Sequence, residues 1–203
     1  MKIMITGFDA FGGETRNPSS EVLALLRAPA GAELILKPEI PTEFGVGRLV
    51  CRYLSEEQPD VLLCLGQAGG RRGLTPERVA INIMDAGIPD NRGFLPSDLP
   101  VEPGGKNAYF STLPIKAMVS AMEKAGIPAS VSNSAGTFVC NSLLYHVLSY
   151  IERNRLPVRA GFLHVPFLPE QAEAHPGYPS MSLRDMAEGV GAALEAIVCS
   201  GNG

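Results

Sequence analysis

The chain has 203 residues, of which 45% are hydrophobic and 19% charged, and its formal net charge at pH 7 is -4. This length predicts one domain spanning residues 1–203, and the composition excludes a disordered protein. Lysines and arginines are scattered, so the charge pattern argues against nucleic acid as a partner. The longest apolar runs are strand-sized, and the amino terminus lacks a signal-peptide pattern, so we expect no membrane segment.

Apolar runs bounded by turn residues alternate with segments of helical period. This pattern predicts an α/β fold with a mostly parallel, twisted sheet flanked by helices. In chain order, the predicted elements are a strand at residues 1–6, a helix at 20–27, a strand at 33–37, a helix at 43–55 capped by Thr42, strands at 60–65 and 77–84, a helix at 115–125, a strand at 129–133, a helix at 138–153, a strand at 160–165 and a helix at 182–196. Ligands of such sheets bind beyond the carboxyl ends of the strands, where Gly7, Gly66 and His164 fall.

Residues 85–107 form a long segment between predicted elements, dense in Gly, Pro, Asp and Asn. A connection of this length is unusual in a compact domain unless it serves a function. We therefore expect a functional, mobile loop there.

Cys140 lies in the first turn of the predicted helix 138–153. Free backbone N–H groups and the helix dipole at that position are expected to lower the pKa of a thiol and to bind an oxyanion. The alternative is a small buried core residue. That alternative is favoured for Cys51, Cys64 and Cys199, which lie within apolar patterns. The cysteines form no C-x-x-C pair and no zinc spacing, so we expect no metal site and a reducing compartment.

A nucleophilic cysteine needs a base, and the chain has three histidines. His146 follows Cys140 by six residues on the same predicted helix and therefore points away from it. His175 lies in a loop, where a solvated surface histidine is expected. His164 ends a strand at the expected ligand edge and is the candidate base; a satisfied core histidine is the alternative.

The third member of such a site is an acid that orients the imidazole. Glu77, Asp85 and Asp90 are candidates. Glu77 heads a predicted strand whose other residues on the same face are apolar, so its carboxylate needs a partner. A surface salt bridge to Arg78 or Arg72 is the alternative.

Two glycine-rich segments follow predicted strands. Residues 66–73 lack the Lys-Ser/Thr ending of a nucleotide P-loop and the spacing of a dinucleotide fingerprint, so a tight turn beside a ligand is the minimal interpretation. Phe8 and Phe11 follow the first strand and could wall a flat apolar ligand, although packing within the loop is the alternative.

Four motifs occur in order along nearly the whole chain: residues 6–13 (TGFDAFGG), 66–70 (GQAGG), 75–82 (TPERVAIN) and 136–141 (GTFVCN). The segments at residues 113–116 (LPIK) and 164–166 (HVP) accompany them. Together they resemble the pyrrolidone carboxyl peptidases, also called type I pyroglutamyl peptidases. The resemblance implies a fold similar to that of purine nucleoside phosphorylases.

The same resemblance implies a cysteine peptidase that removes an amino-terminal 5-oxoproline from peptides through a thioester acyl-enzyme. It implies Cys140 as nucleophile, His164 as base and Glu77 as orienting acid, without metal or cofactor. It also implies a cytoplasmic homotetramer. The residues that it places around the substrate ring are Phe8, Phe11, Thr42, Gln67, Ile88, Phe138 and Val139.

Gly87 departs from the family pattern, which has an arginine there beside the catalytic centre. Losing such a charge can cost a few kcal/mol of transition-state stabilisation. Three hypotheses follow: Arg92, Arg71 or Arg72 partly replaces the charge, the enzyme is slower with a more flexible loop, or the chain is a lactam-binding relative without turnover. A phosphorylase-like phosphate binder is a further alternative, which rests on the glycine loop and the fold resemblance.

Overall fold

The computed structural model describes residues 1–201, so residues 202 and 203 of the predicted domain lie outside the described part. The elements in chain order are β1 (Lys2–Phe8), α1 (Pro18–Glu21), a 3₁₀ turn (Val22–Leu25), β2 (Glu33–Ile40), α2 (Val46–Glu57), β3 (Val61–Gln67), β4 (Thr75–Pro76), β5 (Val79–Ile81), β6 (Ala108–Phe110), α3 (Ile115–Lys124), α4 (Val139–Arg153), β7 (Arg159–Val165), α5 (Pro169–Ala174) and α6 (Leu183–Cys199).

A five-stranded sheet with the order β2-β1-β3-β7-β4 forms the centre of the molecule. All neighbouring strands run parallel except β4, which is antiparallel to β7. Strands β5 and β6 pair separately as a small antiparallel sheet. The predicted α/β class with a mostly parallel sheet is therefore confirmed.

Helices cover both faces of the central sheet, and side chains alternate between two apolar clusters. Ile3 and Ile5 of β1 join the cluster formed with α3 and α6, whereas Met4 joins the cluster formed with α2 and α4. This two-residue alternation is the strand periodicity, and β3 follows it with Leu63 and Leu62. Because both faces are covered, the inner strands are almost entirely buried and mostly apolar.

Several predicted elements differ from the observed ones. The helix expected at residues 20–27 is α1 followed by the 3₁₀ turn, and the strand expected at 77–84 is shortened to β5. Residues 129–133 make isolated bridges at Ala129 and Ser132 instead of a continuous strand, because they pair only with the short segment around β4. Helix α5 was not predicted.

Thr42 does not cap α2, because the helix begins three residues later than predicted, with Gly45 in the capping position. The Thr42 hydroxyl donates to the Asp9 carbonyl at 3.3 Å, and its N–H donates to Asp9 Oδ1 at 2.7 Å. Thr42 therefore joins the turn after β2 to the loop after β1.

The segment 85–107 is irregular, as predicted, and hydrogen bonds tie it to the loops around it. The Asp90 carboxylate accepts from the N–H groups of Phe44, Arg92 and Phe94. The Asn91 amide donates to Asp9 Oδ1 and to the Ala10 carbonyl. The mobility of this segment stays a prediction. Within residues 1–201, no helix is both long and apolar enough to span a bilayer.

Candidate active site

A cavity of ≈ 350 Å³ lies beyond the carboxyl ends of β1, β3 and β7, at the start of α4. This is the edge at which ligands of parallel sheets bind. Cys140, His164 and Arg71 all line the cavity. Glu77 lies directly behind it, fully buried.

Glu77 and His164 form a buried pair in which Glu77 Oε1 lies 2.7 Å from His164 Nδ1. The pairing of β4 with β7 brings them together, since Thr75 lies opposite His164 and the Glu77 N–H donates to the Phe162 carbonyl. Arg71 Nη1 lies 2.8 Å from the same carboxylate oxygen, so that oxygen accepts from both neighbours. His164 Nδ1 therefore carries the proton, which leaves Nε2 as the free acceptor of the neutral ring.

The Cys140 sulfur packs against the backbone of Gly66, which lies opposite His164 in the register of β3 and β7. A Cβ atom placed on Gly66 would lie 3.0 Å from Cys140 Sγ and 2.6 Å from the Phe162 ring. Any larger residue at position 66 would therefore displace the Phe162 ring and crowd the thiol. The thiol makes no hydrogen bond to the imidazole among the described residues, and such contacts are often loose in unliganded sites.

The first turn of α4 presents free backbone donors beside the thiol. The first hydrogen bond of the helix runs from the Ser142 N–H to the Phe138 carbonyl, so the preceding N–H groups have no partner within the helix. Asn141 anchors this turn, because its side chain accepts from the Ile81 N–H and donates to the carbonyls of Ile81 and Ile83, each at 2.9 Å. Asn141 was present in a sequence motif, but its anchoring contacts were not predicted.

Desolvation favours the uncharged forms of both reacting groups. The pKa of Cys140 is raised to about 12, chiefly by desolvation and next by the charge of Glu77, while Arg71 opposes the rise. The backbone N–H of Cys140 lowers this pKa, as expected at a helix terminus, but desolvation of the thiolate raises it by more. Desolvation also lowers the pKa of His164, although Glu77 opposes that effect. Both shifts favour a thiol beside a neutral imidazole.

Arg71 is the basic residue that the structure brings to this cavity. Besides Glu77, it contacts the Thr75 hydroxyl and the Ser134 carbonyl. The surface salt bridge of Glu77 with Arg78 or Arg72 does not form; Arg78 bonds the Asn133 side chain instead. The sequence could not distinguish the adjacent Arg71 and Arg72, because only the turn after β3 decides which side chain faces inward.

Aromatic rings form one wall of the cavity. Phe138 packs against Phe11 with ring centroids 5.9 Å apart and against Phe44 at 5.3 Å. Five of the seven residues predicted around the substrate ring line the cavity, namely Phe8, Phe11, Thr42, Gln67 and Phe138.

Ile88 and Val139 do not line this cavity, in contrast to the prediction. The side chain of Ile88 is 46% exposed, because it lies on the surface of the loop above Gly12. Val139 is fully buried in the apolar cluster under α4, since the side chain of the first helical residue points back into the core. Any contact of Val139 with a ligand would be through its backbone.

The remaining histidines and cysteines lie away from the reacting groups. His146 lines a separate cavity, as its spacing indicated. His175 is not simply solvated, because it stacks on Phe167 at 4.8 Å and bonds Glu14 at 2.7 Å. Cys51 and Cys64 are buried as predicted, whereas Cys199 is exposed at the end of α6, contrary to the prediction.

Gly87 is exposed, and a Cβ atom placed there meets nothing within 4 Å. Arg92 does not reach the candidate site; it pairs with Glu43 and lines the other cavity. Arg72 lies at a third surface cavity. Among residues 1–201, no group of three or more His, Cys, Asp or Glu side chains could hold a metal ion.

An α/β fold that places a thiol, an imidazole and a buried carboxylate at the ligand edge of its sheet has the architecture of a cysteine hydrolase. The family model described as pyroglutamyl peptidase matches residues 1–200. The chain belongs to the pyroglutamyl peptidase family.

Curated relatives and solved structures agree with this assignment. The chain is 51% identical to pyrrolidone-carboxylate peptidase 1 of Caldanaerobacter subterraneus over 98% of both chains. It is 56% identical to the pyrrolidone-carboxylate peptidase of Streptococcus suis, over 98% of this chain and 93% of the relative. The crystal structure of pyroglutamyl peptidase I from Bacillus amyloliquefaciens matches with a TM-score of 0.92 at 42% identity, over 98% of this chain and 97% of that one. A variant of the Pyrococcus furiosus pyrrolidone carboxyl peptidase matches with a TM-score of 0.93 at 38% identity, over 98% and 99%.

Proposed function

We propose that the chain is a cysteine peptidase that hydrolyses the amide bond after an amino-terminal 5-oxoproline. The observation that supports it most directly is the buried Glu77–His164 pair, which lies beside Cys140 at one aromatic-walled cavity. The related peptidases named above have the same fold and cover nearly the whole chain.

In the proposed reaction, His164 Nε2 takes the thiol proton as Cys140 Sγ attacks the carbonyl carbon of the 5-oxoproline residue. Glu77 stabilises the resulting imidazolium, and the free N–H groups at the start of α4 stabilise the oxyanion. The imidazolium then protonates the leaving amine, and a thioester forms. Water, deprotonated by His164, hydrolyses the thioester, releases 5-oxoproline and restores the thiol.

The cavity suits an uncharged ring. A 5-oxoproline residue has no terminal ammonium group, so its site needs apolar walls and a few hydrogen-bonding groups instead of a carboxylate. The rings of Phe11 and Phe138 supply a wall, and Gln67 and Thr42 supply polar groups. Such a site rejects a ring that lacks the lactam N–H and C=O, because the polar groups of the site would then stay unpaired.

The function is tested by the release of a fluorescent amine from a pyroglutamyl amide. The matched substrates are the prolyl amide, which lacks the ring carbonyl, and the glutamyl amide, which carries the charges that the lactam lacks. We expect cleavage of the pyroglutamyl amide alone, with loss of cleavage after treatment with iodoacetamide. Folded protein that cleaves none of the three amides would contradict the proposal, and 2-pyrrolidone binding without cleavage would instead support a lactam-binding protein.

We expect the acidic limb of the pH profile of kcat/KM to lie below pH 6.5. His164 acts as a base only when neutral, and its lowered pKa keeps the ring neutral below its usual value of 6.5. As the pH falls through that lowered pKa, the ring gains a proton and kcat/KM falls. The measurement is kcat/KM on the pyroglutamyl amide from about pH 5 to about pH 9. A limb centred near pH 7 or above would show that the imidazole of the free enzyme is not desolvated as the structure indicates.

We expect Gly87→Arg to change kcat/KM by less than about tenfold. The exposed position accepts the side chain, and Arg71 already supplies a positive charge at the cavity. Steady-state kinetics of Gly87→Arg and of the neutral control Gly87→Gln measure the effect. An increase well above tenfold in the arginine variant alone would show that the site lacks a charge that Arg71 does not replace.

We also propose that the protein is cytoplasmic and assembles as a homotetramer, as the family resemblance implies. Its four cysteines are all free, as expected in a reducing compartment. Large apolar side chains are exposed at Phe94, Leu95 and Phe110, with exposed fractions of 45%, 54% and 69%. They provide apolar area for contacts between subunits. Light scattering of the purified protein measures the assembly, and a monomeric mass would contradict the tetramer.

A further inference from the structure

Gln67, the last residue of β3, lines the candidate cavity and has a buried partner behind it. Its Oε1 accepts a hydrogen bond from Gln171 Nε2 at 3.0 Å. Gln171 lies in α5, and only 5% of it is exposed. The two amides therefore form a buried contact between the cavity and a helix that supplies none of the other residues around the thiol.

The orientation of the Gln171 amide is determined by its neighbours. Its Oε1 accepts from the backbone N–H of Leu168 at 3.1 Å, and a backbone N–H can only donate. Its Nε2 faces two further acceptors, Glu14 Oε2 at 3.1 Å and the Arg16 carbonyl at 3.3 Å. Reversing this amide would place oxygen against oxygen and N–H against N–H, so only one orientation satisfies the site.

The orientation of Gln67 follows from that of Gln171. Because Gln171 offers N–H, Gln67 must turn its oxygen toward it, and its own NH₂ group is left on the other side. Gln67 Nε2 makes no hydrogen bond to protein among the described residues, and Gln67 lines the cavity. A free NH₂ group there can only donate, so it selects a carbonyl oxygen on the ligand.

We propose that Gln171 is a positioning residue that holds Gln67 as a donor to the ring carbonyl of the 5-oxoproline residue. This inference rests on the proposed function. Without Gln171 the Gln67 amide is free to rotate and to present its oxygen, which repels a carbonyl. Gln171 thereby contributes to the selection of a lactam over a ring without the carbonyl, although it lies behind the residue that touches the substrate.

The test uses 2-pyrrolidone, the lactam ring alone, as a probe of binding that needs no turnover. Its protection of Cys140 against iodoacetamide is measured in wild type, Gln171→Met and Gln171→Glu. The glutamate keeps the acceptor for the Leu168 N–H but loses the donors to Gln67, Glu14 and the Arg16 carbonyl. A Gln67→Met background therefore separates the loss at Gln67 from the other two. Glu173→Met, at an exposed position of the same helix, is the matched control.

We expect both Gln171 variants to need about tenfold more 2-pyrrolidone for half protection, the scale of one hydrogen bond, with an unchanged rate of unprotected alkylation. KM for the pyroglutamyl amide should rise more than kcat falls, because the ring carbonyl is remote from the reacting bond. In a Gln67→Met background the Gln171 substitutions should have no further effect.

The inference would be overturned if 2-pyrrolidone protected Cys140 in Gln171→Glu as well as in wild type, because that result would show that Gln171 only caps α5. The inference would also be overturned if the Gln171 substitutions weakened protection by 2-pyrrolidone equally in the Gln67→Met background and in the wild-type background. Failure of the proposed function would appear separately, as wild-type protein that 2-pyrrolidone protects but that cleaves no pyroglutamyl amide.

Discussion

Replacing Cys140 with alanine is expected to lower kcat on a pyroglutamyl amide by at least about 10⁵-fold, comparable with the loss of a serine nucleophile in a triad. The sulfur is the only atom that forms the proposed thioester, so no other group can take over its step. The fold should be retained, because alanine is smaller and the sulfur lies in the first turn of α4, against Gly66. Amine release and circular dichroism measure the two effects.

The matched control for this loss is Cys199→Ala. Cys199 is also a free thiol, but it is exposed at the end of α6, away from the cavity. Its replacement should leave kcat within about twofold of wild type, as expected for a surface position. Equal inactivation by both substitutions, or substantial activity of Cys140→Ala, would exclude Cys140 as the nucleophile.

Glu77→Gln is expected to lower kcat by about 10⁴-fold, the scale observed when the orienting acid of a triad is replaced. The carboxylate oxygen accepts from both His164 and Arg71. If the amide keeps its oxygen there, the charge that stabilises the imidazolium is lost, and the NH₂ group takes the place of Oε2, which is buried without a partner among the described residues. If the amide turns the other way, its NH₂ group faces the two donors His164 and Arg71, and neither hydrogen bond can form.

Asp85→Asn is the control for this substitution, because Asp85 was also a candidate from the sequence. Its carboxylate is exposed, accepts only from the Asp98 N–H at 3.3 Å and makes no contact with His164. We expect kcat within about threefold of wild type. The steady-state kinetics should be read together with thermal melts, since Glu77→Gln also leaves Arg71 unpaired. If Asp85→Asn reduced kcat as strongly as Glu77→Gln in folded protein, the assignment of the acid would be wrong.

Local patterns were sufficient to predict most of the architecture. Strand and helix periods differ, so the alternation of short apolar runs with amphipathic segments predicted the parallel sheet and its long helices, including α4 and α6. The same patterns placed Cys140 in the first turn of a helix and His164 at the end of a strand, because both positions depend on near neighbours in the chain. Four motifs in order identified the family.

Long-range packing decided the rest. The contact of Glu77 with His164 joins residues that are 87 positions apart, and only the pairing of β4 with β7 brings them together. Desolvation of the Cys140 thiol outweighs the lowering of its pKa by the helix terminus, since desolvation depends on everything that packs around the sulfur.

Gln171 lies in a helix that the local pattern did not predict, and its role depends on which end of each amide faces the other. The sequence by itself therefore determined the fold class, the family and the candidate thiol, imidazole and carboxylate. Only the tertiary structure decided the desolvation of the thiol and the imidazole, the choice of Arg71 as the adjacent cation and the orientation of Gln67. These properties depend on contacts between distant segments and on the exclusion of water, which no local pattern records.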